Sequence, residues 1–138
     1  MLIGVCATDA KFRAQLVTLL EGGGHQTSLL SASPAALAAL RKAKPHLLVV
    51  AVTDGAEAAD YIRALRAQPD MRLLPVLCVD PKAGSVETVA LLDAGADDAI
   101  TRPFQPPIFL ARVRTLLRRV VMAGDAPSSL LHGQSRPA

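Results

Sequence analysis

The feature that most constrains the fold is a five-fold alternation of short apolar runs with longer stretches of helical periodicity. The apolar runs are Leu2–Ala7 (LIGVCA), Gln26–Leu30, His46–Val52 (HLLVVAV), Pro75–Val79 (PVLCV) and Ala99–Thr101. A run of apolar residues without polar alternation reads as a strand buried on both faces, and such strands belong to parallel sheets. Between them, Asp9 to Gly22 carries Phe12, Leu16, Leu19 and Leu20 at helical spacing and stops at Gly22-Gly23-Gly24. Ser33-Pro34 opens a second helix, with Pro at its first position and Ala36, Leu37 and Leu40 on one face. A third runs from Gly55 to Ala67 with Tyr61, Ile62 and Leu65 inward. Val86, Val89, Leu91 and Leu92 mark a fourth, stopped at Gly95. Pro106-Pro107 starts a fifth through Val121, with Ile108, Leu110, Val113, Leu116 and Leu117 apolar. Parallel strands need crossovers, and helices of this length supply them, so the pattern predicts one parallel sheet with helices on both faces.

A chain of 138 residues is one domain's worth and enough to bury a core. The core is aliphatic, because half of the residues are hydrophobic and only 3% are aromatic. No apolar run approaches the roughly 20 residues of a membrane span. The opening Met1-Leu2-Ile3 lacks the basic, apolar and small-residue pattern of a secretory signal. The expectation is therefore a cytoplasmic protein with no membrane partner. Residues 1–121 are read as the domain, and 122–138, rich in Gly, Pro, Ser and Gln, as a flexible tail or linker.

Charge is uneven along the chain. Residues 1–100 carry 9 basic and 11 acidic side chains, whereas 101–121 carry five arginines (Arg102, Arg112, Arg114, Arg118, Arg119) and no acid. One arginine-rich helix without a groove-reading element or stacking aromatics does not predict direct nucleic-acid binding. Cys6 and Cys78 lie far apart in apolar runs and read as buried, reduced thiols. His25, His46 and His132 stand apart in sequence, so no metal site and no cofactor is expected.

In open parallel sheets, ligands and chemistry sit outside the carboxyl ends of the strands. The residues there are Ala7-Thr8-Asp9, Ala51 to Asp54, Val79-Asp80 and Thr101-Arg102. The segment LLDAGADDAITRPF (Leu91–Phe104) resembles the "ALxAGADDYLxKPF" segment of receiver domains from bacterial two-component response regulators. The stretches ALRAQPDMRLLPVL (Ala64–Leu77) and FLARVRTLLRR (Phe109–Arg119), together with Thr8–Leu20 and the KPHLLVV segment, agree in order, so the resemblance spans residues 2–121. It implies a flavodoxin-like (CheY-like) α/β fold: a five-stranded parallel sheet in the order 2-1-3-4-5 flanked by five helices.

The same resemblance implies five functional positions. A pair of acids after the first strand holds Mg²⁺, an aspartate ending the third strand accepts a phosphoryl group, and a Ser/Thr and a Lys after the fourth and fifth strands bind its oxygens. Here Ala7 and Thr8 stand at the acid pair, Ala51 at the nucleophile, Asp80 at the Ser/Thr and Arg102 at the Lys, with Ala99 where an aromatic switch residue often stands. A methyl group neither accepts a phosphoryl group nor holds Mg²⁺. The expectation is thus a non-enzymatic, aspartate-less pseudo-receiver that binds signalling proteins without phosphorylation.

Two alternatives remain open on the sequence. The chain is the N-terminal regulatory domain of a larger response regulator with a DNA-binding or cyclic-nucleotide output domain, or it is phosphorylated at a displaced aspartate, Asp54 or Asp9. Against the second, Asp9 or Thr8 suits the N-cap of the first helix, and Asp54 suits a helix start beside Gly55. Asp80 and Arg102, at the ends of neighbouring strands, are expected to form an ion pair. Thr88, Asp97, Asp98, Ile108, Phe109, Arg112, Arg118 and Arg119 resemble the face of the fourth helix, fifth strand and fifth helix through which winged-helix response regulators dimerise. That face is the expected protein interface and a possible homodimer contact. The Arg102–Pro103 peptide bond is expected to be cis, as the matching bond is in receivers.

Overall fold

A computed structural model of the chain describes residues 1–80 and 85–122. Five strands, β1 (Leu2–Ala7), β2 (Gln26–Leu29), β3 (Leu47–Ala51), β4 (Val76–Asp80) and β5 (Asp98–Thr101), form one sheet in the order β2-β1-β3-β4-β5. Every neighbouring pair is parallel. The helices are α1 (Ala10–Gly22), α2 (Leu37–Ala43), α3 (Gly55–Arg66), α4 (Ser85–Ala94) and α5 (Pro106–Met122). The predicted fold class, strand order and helix count are those observed. Boundaries differ by a residue or two, and the start of the second helix differs in kind. Pro34–Ala36 forms a single 3-10 turn, and α2 begins only at Leu37, with no side-chain cap.

Strand periodicity divides the core in two. Ile3, Val5, Ala7, Val49, Ala51, Leu77 and Val79 point to one face, where they meet Phe12, Leu16 and Leu20 of α1 and Phe109, Val113 and Leu116 of α5. Cys6, Leu48, Val50 and Cys78 point to the other, against Leu40 of α2 and Ala58, Tyr61, Ile62 and Leu65 of α3. All five residues of β3 are buried, as its uninterrupted apolar run requires. Each fully buried Leu, Ile or Phe contributes about 1.5–3 kcal/mol of transfer free energy. Both cysteines are buried thiols outside any disulfide. Gly4 is a steric requirement of this packing, because a Cβ there would lie 2.9 Å from both Leu30 and Leu48.

The junction where α4 turns into β5 is held by one side chain. Gly95 takes φ +124°, a conformation that favours glycine, and a Cβ on it would meet Arg66 Cγ at 2.7 Å. Arg66, at the end of α3, lies across this spot. Its Nε donates to Gly95 O (3.0 Å), Nη1 to the carbonyls of Met71, Arg72 and Leu74 (2.9, 3.1 and 2.8 Å), and Nη2 to Asp97 (3.0 Å). Asp97 accepts the Val76 amide through the same carboxylate oxygen at 2.8 Å. Four segments of chain are thereby tied at one point, which sets where β5 and the face beside it stand.

Candidate functional site at the strand ends and the adjoining face

The five positions singled out by resemblance lie at the carboxyl ends of the strands. Ala7 ends β1 in register with Ala51, which ends β3, and Asp80 ends β4 in register with Thr101 of β5. Ala51 is only 1% exposed, so its methyl group is packed into the core. Thr8 instead ties loops together: its Oγ1 lies 3.1 Å from Thr53 Oγ1 and accepts the Thr53 amide at 3.0 Å. The Thr8 amide donates to Ala51 O at 3.4 Å. The end of β1 is thus laced to the segment between β3 and α3 by hydroxyl and backbone contacts.

Both aspartates offered as displaced phosphoacceptors are occupied as helix caps. Asp9 is the N-cap of α1 and accepts the Lys11 amide at 3.0 Å. Asp54 is the N-cap of α3 and accepts the amides of Ala56 and Glu57 at 2.9 and 3.2 Å. An N-cap oxygen satisfies donors that the first helical turn leaves without partners. The repeated Thr-Asp at 8–9 and 53–54 is the sequence signal for this arrangement; the Thr8–Thr53 contact itself was not foreseen. The expected Asp80–Arg102 pair involves the Asp80 side chain, which lies outside the described residues. The Arg102 guanidinium carbon sits 4.0 Å from the centre of the Phe12 ring, a cation–π contact. The Arg102–Pro103 bond is cis, as expected. Among the described residues no cluster of three or more His, Cys, Asp or Glu side chains is placed to hold a metal ion.

The face of α4, β5 and α5 is partly as expected. Ile108 is 47% exposed, and Val89 and Leu92, two of the residues that marked the fourth helix, are 56% and 43% exposed on α4. Phe109 is a correction: it is fully buried, packed with Phe104 at 5.5 Å between ring centres, and so is no part of an exposed face. The Pro106-Pro107 start of α5 turns Ile108 out and Phe109 in, a choice between adjacent positions that helical periodicity leaves undecided. Arg112 donates to Asp98 at 2.8 Å within the chain. Asp97 is committed to Arg66 and the Val76 amide, with Arg119 Nη1 3.9 Å from its other oxygen. Arg118 donates to Thr115 on its own helix. Thr88 is half-buried on α4.

No protein-family model matches the chain. The chain is 34% identical over 124 residues to the DNA-binding response regulator MtrA of Mycobacterium tuberculosis, which covers 89% of this chain and 52% of MtrA. It is 30% identical over 119 residues to the sensory transduction protein RegX3 of Mycobacterium bovis, covering 86% of this chain and 50% of RegX3. The chain thus spans about half the length of these relatives. Among solved structures, the signal receiver domain of a signal transduction histidine kinase from Syntrophus aciditrophicus superposes with a TM-score of 0.72 at 27% identity, over 86% of this chain and 91% of that one. Among the described residues, no helix is long and apolar enough to cross a membrane.

Proposed function

We propose that this chain, a response-regulator receiver domain of two-component signalling by sequence and fold, works without phosphorylation, as a non-enzymatic module that docks cytoplasmic signalling proteins. One observation carries the reading. The residue that ends β3, where the family's phosphoacceptor stands, is Ala51, buried beside Ala7 in the paired end of β1. Neither methyl group supplies a nucleophile or an oxygen ligand for a hard cation. The only carboxylates adjoining them in sequence, Asp9 and Asp54, spend an oxygen each on the first turn of a helix. Each of these carboxylates caps a helix and lies beyond the strand end at which the family's phosphoacceptor stands.

The docking surface in this reading is the α4–β5–α5 face, with Ile108, Val89 and Leu92 as its apolar groups and the Asp98–Arg112 pair at its edge. Apolar groups rimmed by charge are the usual anatomy of an interface. The partner is a signalling protein or a second copy of the chain. This chain spans about half the length of MtrA, a DNA-binding response regulator, which favours a variant of the same reading in which the domain is the regulatory part of a longer chain with a DNA-binding output.

The test is to add Mg²⁺ and beryllium fluoride, which mimics a bound phosphoryl group, while following backbone amide NMR signals of the α4–β5–α5 face. The reading expects no displacement of those signals. A saturable shift at β5 and α5 would overturn phosphorylation independence.

A further inference from the structure

Where β3 and β4 begin, at the end of the sheet away from the candidate site, two adjoining hollows of about 440 and 350 Å³ lie between the end of α2 and the segment 69–75. Pro45, Asp70 and Leu74 line both. Leu73 lines the second and is 67% exposed, more than Val89, Leu92 or Ile108. Pro45, Pro69 and Pro75 fix the backbone around it, so the apolar patch is rigid before anything binds. The Asp70 charge is already met by Arg41 at 2.9 Å. Lys44, which lines the first hollow, and Arg72, next to Leu73 in the chain, are exposed. Among the described residues neither side chain makes an ion pair or a hydrogen bond. Lys44 also ends α2 at φ 50° and ψ 55°, the left-handed conformation in which glycine is the usual residue. We infer that this end of the sheet docks an acidic amphipathic segment of a partner protein. An apolar side chain would seat against Leu73, Leu74 and Pro69, and carboxylates would meet Lys44 and Arg72.

Charge and apolarity together select that occupant. The unpaired charge beside the patch is positive, so a segment rimmed with carboxylates complements it and a basic one is repelled. A nucleic acid would also meet the cations, but it would leave Leu73 and the prolines without an apolar partner. The hollows hold no Phe, Tyr or Trp ring on which a base could stack. The backbone of Lys44 agrees with this reading, because a residue kept in a crowded conformation points to a use for its side chain. The surface shares no residue with the α4–β5–α5 face, so its failure would leave the proposed function standing.

The experiment titrates the full chain with a short peptide that holds two leucines between glutamates, following backbone amide NMR signals. One twin peptide carries glutamines in place of the glutamates, and another carries alanines in place of the leucines. Saturable binding of the first peptide is expected, with amide shifts confined to Lys44–His46 and Asp70–Leu74. Its affinity should exceed that of the glutamine twin about fivefold, the effect of two exposed ion pairs. Leu73→Ser should weaken it about tenfold, as loss of an apolar contact does. Lys44→Gly should weaken it about twofold while the urea midpoint of unfolding stays level or rises, because glycine relieves the left-handed backbone. A lysine with a merely structural role would lower that midpoint. Absence of binding, equal affinity for either twin, shifts centred on Val89 and Ile108, or no effect of the two substitutions would each overturn the inference. So would a DNA duplex that shifts these amides when the peptide does not, or shifts that appear on concentrating the chain alone, since the surface would then belong to nucleic acid or to a second copy.

Discussion

Replacing Arg66 with Met removes the guanidinium while keeping most of the stem that packs over Gly95, and so isolates the polar clamp. The side chain is 18% exposed and touches four backbone carbonyls and one carboxylate. Three of those carbonyls share Nη1, which has two hydrogens, so not all of the contacts act at full strength. A net value of about 1 kcal/mol per satisfied hydrogen bond, with part of the loss recovered by water at the outer carbonyls, gives a destabilisation of about 3 kcal/mol. That is a large share of the roughly 5–15 kcal/mol that holds a small domain together. With a urea m value of about 1.5 kcal/mol/M, the midpoint of unfolding falls by about 2 M. Arg66→Lys is expected to fall nearly as far, because one ammonium reaches either Asp97 or the carbonyls and not both. Equilibrium urea unfolding followed by circular dichroism measures both. A midpoint within about 0.5 M of the parent at unchanged m would refute the reasoning.

Other consequences follow from the same geometry. Thr8→Val keeps the shape and removes both Thr53 contacts; it should cost about 1 kcal/mol and speed hydrogen exchange at the Thr53 amide, with no change elsewhere. Burial pushes the Cys6 thiol up to about 12, and Tyr61, which accepts its hydrogen bond, is raised by the same cause. The native chain therefore holds protons that the unfolded chain releases, so stability is full below about pH 8.5 and is lost as pH rises toward the folded value. Thermal melts should show a falling midpoint above about pH 9, and a flat profile would contradict the burial argument. Ile108→Glu and Arg112→Glu should weaken self-association or partner binding measured by sedimentation. If both leave it unchanged while a substitution on the far side abolishes it, the docking face is elsewhere.

The sheet was legible because its inner strands β1, β3 and β4 are buried on both faces and their apolar runs stand out against helical spacing. The strand order came from resemblance and not from pattern. Boundaries slipped where a residue at a strand end serves two neighbours, as Asp98 does at the start of β5, and where Pro34 begins a 3-10 turn before α2. The exposure of Val89 and Leu92 was not legible, because hydrophobicity alone does not say which face of α4 meets the sheet. Nor was the placing of Ile108 outside and Phe109 inside. Arg66 gave no sequence signal: it reads as an ordinary charge in the last turn of α3, and its role depends on the backbone of three other segments. The positions at the strand ends were found by alignment with a family motif, while the hydroxyl bridge between Thr8 and Thr53 joins residues 45 apart and needed the fold to be seen.

The central claim is that this receiver domain carries no phosphoryl group on any aspartate. The most direct measurement is the intact mass of the chain after incubation with acetyl phosphate and Mg²⁺, taken without acid quenching so that an acyl phosphate survives. The account predicts an unchanged mass. A gain equal to one phosphoryl group, lost on substitution of Asp54 or Asp9 by Asn, would contradict it.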